Sequence, residues 1–133
     1  MAERIEVSDV LPASPKVIYE AWLDGKKHGA FTGGKAEIDG RVGGKFTAWD
    51  GYISGTTILV EPFGRIVQTW RTTEFPDNAP DSELEVILQE VTGGTKITLV
   101  HTNIPDGQGE EYRQGWIDFY FVPMKEYFSK RKK

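Results

Sequence analysis

Between Asn103 and Lys130 the chain reads Asn-Ile-Pro-Asp-Gly-Gln-Gly-Glu-Glu-Tyr-Arg-Gln-Gly-Trp-Ile-Asp-Phe-Tyr-Phe-Val-Pro-Met-Lys-Glu-Tyr-Phe-Ser-Lys, and no other stretch constrains the fold as tightly. A turn at Pro105-Asp106-Gly107 releases a helix with an acidic first turn (Glu110, Glu111) and a basic end (Lys130 to Lys133). That charge order complements the helix macrodipole. Tyr112, Trp116, Phe119, Tyr120, Pro123, Tyr127 and Phe128 recur at steps of three and four, which puts them on one aromatic face. Pro123 removes a backbone hydrogen bond and predicts a kink, at a cost of about 3 kcal/mol. Everything upstream reads as short strands and turns. A single long aromatic helix closing on an antiparallel sheet is an arrangement that often leaves an apolar cavity between the two.

The length of 133 residues suits one compact domain spanning residues 1–133. Four tryptophans within an aromatic content of 12% mean that large side chains do much of the filling. A net charge of −4 argues against nonspecific binding to nucleic acid. Cysteine is absent, so disulfides and thiol chemistry are not available. The opening Met-Ala-Glu-Arg-Ile-Glu-Val lacks the apolar stretch of a signal peptide, and no run approaches transmembrane length. A cytoplasmic protein with no membrane partner is expected. The basic end from Lys130 to Lys133 is read as a solvated helix terminus.

Glu3 to Leu11 alternates Ile5, Val7 and Val10 with charge, a first strand that ends at Pro12. Ser14-Pro15 is a strong helix start, because serine caps and proline's missing N–H is harmless there. Val17, Ile18, Ala21 and Trp22 mark the buried face, Asp24-Gly25 ends the helix, and Lys26 to Ala30 adds a second short one. From Lys35 the period changes to two, with strands at Ala36–Ile38 and Lys45–Trp49. Asp50-Gly51 between Trp49 and Tyr52 predicts a two-residue type I′ hairpin into a strand from Ile53 to Val60. Arg65 to Thr73 is the next strand, and residues 75–81 form a polar loop. Glu83 to Val91 and Lys96 to Thr102 flank a second hairpin at Thr92-Gly93-Gly94-Thr95.

Tests for chemistry return little. Residues 29–36 nearly spell a phosphate loop, but Ala36 stands where a hydroxyl should ligate magnesium, and a strand follows instead of a helix. His28 and His101 lie in different elements without cysteine partners, so no metal site and no cofactor is expected. His101, in a strand, has the chemistry of a general base or a cavity hydrogen bonder; a histidine paired with a backbone or strand neighbour is the commoner case. Glu61, Glu74, Glu83, Glu85 and Glu90 read as outward-facing strand carboxylates, one of which Arg71 could meet across strands. No nucleophile sits in a recognisable elbow. No catalytic residue is assigned.

Ser14-Pro15, Ala30-Phe31-Thr32, Gly43-Gly44-Lys45-Phe46, Asp50-Gly51-Tyr52-Ile53-Ser54-Gly55, Ile66-Val67-Gln68-Thr69-Trp70-Arg71, Ile104-Pro105 and Arg113-Gln114-Gly115-Trp116 follow one another in a characteristic order. Over nearly its whole length the chain thereby resembles the C-terminal-domain-like family of the activator of the 90-kDa heat-shock protein ATPase, in the START-related helix-grip superfamily. The resemblance implies an α+β fold in which a curved antiparallel sheet grips a long C-terminal helix, with two short helices after the first strand. It also implies that the chain corresponds to the second domain of the two-domain co-chaperone, without room for the first. It supplies no catalytic residues.

The expected activity is therefore non-enzymatic: a small apolar molecule held between sheet and helix. The candidate walls are Trp116, Phe119, Tyr120 and Tyr127 from the helix, with Phe46, Trp49, Trp70 and His101 from the sheet. A module binding a heat-shock chaperone is the first alternative. A cyclase-type enzyme is the second, and it requires His101 or Tyr120 to converge inside the pocket.

Overall fold

The computed structural model describes residues 2–131, without the Arg131 side chain; Lys132 and Lys133 of the basic end lie outside the described residues. Seven strands alternate with turns and helices: β1 (Glu3–Leu11), α1 (Pro15–Leu23), α2 (Gly25–Thr32), β2 (Glu37–Ile38), β3 (Lys45–Ala48), β4 (Ile53–Glu61), β5 (Arg65–Thr72), β6 (Ser82–Val91) and β7 (Gly94–Ile104). A long C-terminal helix follows as α3 (Gly109–Trp116), a π-helical turn (Ile117–Phe121) and α4 (Val122–Arg131). The strands form one antiparallel sheet in the order β1-β7-β6-β5-β4-β3-β2. Bulges in β7, where Asn103 takes a φ of 60°, and in β4 bend it. This is the α+β grip expected: a curved sheet around a long helix, with two short helices after β1.

Alternation decides which side chains meet the helix. Ile66, Gln68, Trp70 and Thr72 of β5 face inward, next to Ser82, Leu84 and Val86 of β6 and Ile97, Leu99 and His101 of β7. In β1 the inward set is Val7 and Leu11, while Val10 is exposed, contrary to the expectation for that residue. A period of two running unbroken to Leu11 puts Val10 on the outer face. At the start of α1, Ser14 accepts from the Val17 N–H at 3.3 Å. Asp24 caps α2, accepting from Lys26 and Lys27. Ile18, Trp22 and Phe31 then close one end of the core.

The first hairpin turns differently from the expected two-residue form. Ala48 pairs with Ile53, so the loop holds four residues, and Trp49, Asp50 and Gly51 all take positive φ (52°, 58° and 91°). Trp49 belongs to this loop and not to β3. Its ring rests on Gly34, where a Cβ would lie 2.7 Å from the indole. Asp50 accepts from the Lys35 N–H at 3.1 Å and returns a bond to its carbonyl at 2.9 Å. The second hairpin closes with two loop residues, Thr92 and Gly93.

The C-terminal helix also departs from the expected kink. Its buried residues run Tyr112, Trp116, Tyr120, Met124 and Phe128, a step of four held through four repeats. At 3.6 residues per turn each such step rotates a side chain about 40° off the core. The π turn absorbs that drift, with the Val122 N–H donating to the Ile117 carbonyl five residues back. Pro123 follows at once. In α geometry its ring would strike the carbonyl four residues before it, and the widened turn removes the conflict. The extra residue shifts the frame, so Phe121, Met124 and Phe128 enter the core, while Phe119 is exposed and Tyr127 half-buried.

The helix start is held by the far edge of the sheet. The Glu3 carboxylate accepts from the Gly109 N–H at 2.7 Å and the Gly107 N–H at 3.0 Å, and Gln108 makes no side-chain cap. Glu3→Ala removes both acceptors and should lower stability by about 1–2 kcal/mol in urea denaturation. Glu3→Gln, keeping one oxygen, should lose less. An unchanged midpoint for Glu3→Ala would show that water caps these amides equally well.

Candidate functional site

Between the helix and the β3–β4–β5 end of the sheet lies a cavity of about 330 Å³. Trp70 of β5 and Ile53 of β4 form its floor, and Tyr112, Trp116 and Tyr120 line the helix side. Trp49, in its left-handed turn, and exposed Phe119 meet edge to face at 5.8 Å across one rim. Glu111 and Tyr52 border the other polar part of the lining. Gly115 faces the same space, where an added Cβ would meet nothing nearer than Phe119 at 3.9 Å.

Behind this wall the helix is bonded to the sheet through His101. The Trp116 indole donates to His101 Nδ1 at 3.1 Å, so the ring proton sits on Nε2, 2.8 Å from Ser82 Oγ. Ser82 in turn donates to the Trp70 carbonyl at 2.5 Å. The Trp70 ring packs edge-on against the imidazole at 4.6 Å. His101 is fully buried, and burial pushes its pKa down to about 3. It is neutral, with both nitrogens occupied.

A second histidine is held the same way. His28 donates from Nδ1 to the Trp22 carbonyl at 2.9 Å, and its Nε2 accepts the Tyr120 hydroxyl at 2.8 Å. Burial lowers its pKa to about 4, against the smaller upward pull of the Trp22 carbonyl. The same burial raises that of Tyr120. Tyr112 is anchored to Thr72 Oγ1 at 2.7 Å and donates to Gln108 at 2.7 Å. Tyr52 donates to Glu74. Burial, and then the Glu74 carboxylate, raise the pKa of Glu111. Among the described residues no buried side-chain N or O lacks a partner.

A sequence model of the family described as "Activator of Hsp90 ATPase homolog 1-like protein" matches residues 12–129. The chain belongs to this family. It is 28% identical over 126 residues to "Activator of 90 kDa heat shock protein ATPase homolog 1" of Homo sapiens, covering 95% of this chain and 37% of that protein. To the corresponding activator homolog of Dictyostelium discoideum it is 27% identical over 128 residues, covering 94% and 33%. The chain thus spans about a third of the length of the curated relatives it matches. Among solved structures, the crystal structure of an HSP90 activator from Plasmodium falciparum superposes with a TM-score of 0.87 at 25% identity, covering 95% of this chain and 96% of that one. That structure shares the helix-grip architecture described above.

Of the eight residues that the sequence singles out, five border the cavity: Trp49, Trp70, Trp116, Phe119 and Tyr120. Three do not. Phe46 is buried in the core beside Gly55, and His101 lies behind Trp70 and Trp116. Tyr127 borders a different cleft with Phe31 and Pro123, because the π turn rotates it away. Arg71 meets Asp81 at 2.7 Å instead of a strand glutamate, and Arg65 takes Glu85. Tyr52, Ile53, Glu111, Tyr112 and Gly115 are cavity residues that the candidate set omits. Tyr112 and Gly115 carry a signal, one by its four-residue step to Trp116 and the other as glycine inside a helix.

The two buried neutral histidines set a pH dependence. Each has a folded pKa below its unfolded value of about 6.5, so the stability they confer is complete above that pH. It is lost as the pH falls toward about 4 for His28 and about 3 for His101. Urea denaturation between pH 6.5 and 5 should show stability falling by up to about 1.4 kcal/mol per pH unit for each histidine. His101→Gln should flatten that slope, and a slope identical to wild type would mean that His101 already titrates freely.

Proposed function

We propose that this chain is a non-enzymatic binding protein that holds a small, mainly apolar molecule between Trp70 and Trp116, within a single helix-grip domain over residues 1–133 in the cytoplasm. The observation that carries this reading is Gly115. Glycine inside a helix costs about 1 kcal/mol relative to alanine, and nothing around Gly115 forbids a side chain. Its effect is to keep the cavity open. A volume of about 330 Å³ sits within the range of small-molecule pockets, about 300–1,000 Å³. The non-enzymatic part rests on the commitments of the polar groups. His101 lies outside the cavity with both nitrogens bonded, and the Tyr120 hydroxyl is turned to His28.

Family membership favours a second reading, in which a heat-shock chaperone is the partner. Its assay is stimulation of a chaperone ATPase by the purified protein; no stimulation and no complex on gel filtration would remove it.

The cavity reading is tested by filling the space without harming the fold. Gly115→Ala should stabilise by about 0.4–1 kcal/mol. Gly115→Leu should weaken binding of the neutral fluorophore N-phenylnaphthylamine about tenfold or more, with a urea midpoint at or above that of wild type. Unchanged affinity for the probe in Gly115→Leu would overturn the assignment of the cavity.

A further inference from the structure

The polar part of the cavity is one-sided. Glu111 lines it, Glu74 is hydrogen-bonded to Glu111, and no lysine or arginine pairs with either among the described residues. Arg113 of the same helix turns to Glu110, and Arg71 of the neighbouring strand turns to Asp81 and the Phe75 ring. Four of the donors near the space are already committed. Tyr52 donates to Glu74, Tyr112 to Gln108, Tyr120 to His28 and the Trp116 indole to His101. The charged groups that face a guest are carboxylates alone, beside the faces of indole and phenol rings, which carry negative potential.

On the reading that the cavity binds a small molecule, we propose that its guest is an apolar organic cation, an amine or quaternary ammonium, with its charge against Glu111 and Glu74 and its hydrocarbon against Trp70 and Trp116. An anion would meet two carboxylates and no cation. A neutral hydrocarbon would fill the volume but leave the two crowded carboxylates uncompensated. Burial, and after it the proximity of Glu74, raise the Glu111 pKa, and a bound cation would act in the opposite direction. Aromatic walls add a cation–π attraction that the neutral isostere lacks.

The test displaces N-phenylnaphthylamine with two molecules of one shape: para-hydroxyphenyltrimethylammonium and para-tert-butylphenol. The cation should compete at about tenfold lower concentration, the sum of a desolvated cation–π contact and a charge pair. In Glu74→Gln/Glu111→Gln that preference should vanish while affinity for para-tert-butylphenol holds. Glu110→Gln, which removes the same charge from a residue paired with Arg113, should keep the preference. All three positions are exposed, so folding is retained and is checked by the urea midpoint. Equal or weaker binding of the cation in wild type would overturn the cationic guest and leave the cavity standing, as would a preference that survives in the double variant. Binding by neither compound nor the fluorophore would overturn the cavity reading and this inference together.

Discussion

The hydrogen bond from the Trp116 indole to His101 is the contact on which the rest of the grip depends. It fixes the imidazole as the tautomer protonated on Nε2, and that proton then reaches Ser82 and, through it, the Trp70 carbonyl. One residue of the helix is thereby tied to β7, β6 and β5. The tie is stiff because each partner is buried and has a single way to be satisfied; leaving the indole N–H without an acceptor would cost about 1–3 kcal/mol. Two further bonds repeat the pattern a helical turn away on either side, Tyr112 to Thr72 and Tyr120 to His28. The step of four between Tyr112, Trp116 and Tyr120 is what the π turn begins to accommodate, and it lets the same face continue to Phe128. Packing needs the step, and the helix widens to supply it.

A helix pinned along one line need not touch the sheet everywhere. Beyond that line the sheet thins, since β3 has four residues and β2 only two. Neither is long enough to close over the helix. The turn at residues 49–52 covers the gap instead, anchored through Asp50 to Lys35 and seated on Gly34. The cavity is the space between a well-bonded helix line and a short-stranded sheet end. Its polar groups are turned outward into the protein for the same reason: they are the pins.

Local chemistry that acts within a few residues was legible in the sequence. The Ser14 cap, the end of α1 at Asp24-Gly25, the period of two from β5 to β7 and the Thr92–Gly93 hairpin depend on neighbours in the chain, and their residues say so. Trp70, Trp116 and Tyr120 were legible as walls because large aromatics on a core face have few other places to go. Two features were not. The frame shift at the π turn depends on how far the helix must follow the sheet, a tertiary demand that a fixed 3.6-residue period cannot express, and it moved Phe119 to the rim and Tyr127 away. The turn holding Trp49 depends on a glycine fifteen positions earlier, and three consecutive left-handed residues are not suggested by Asp50-Gly51 alone. His101 was legible as a satisfied strand histidine, but its partner Trp116 was identifiable only once the helix had been placed.

These commitments bear on what kind of protein the fold makes. Net stability of a domain is about 5–15 kcal/mol, so a glycine at position 115 and two histidines held neutral below their ordinary pKa are each a noticeable fraction of it. The histidines return something to the fold, since His101 ties the C-terminal helix to the sheet and His28 ties it to α1 and α2. Gly115 returns nothing to it: the space beside it accepts a side chain, and alanine there would strengthen the helix. If packing were the sole constraint, the position would be filled. An unfilled position beside three tryptophan rings, where the hydroxyls and the Trp116 N–H are bonded within the protein, is chemically suited to shape and charge recognition and poorly suited to moving protons. The groups that could move them, His28 and His101, are the ones the fold cannot release without loosening the helix.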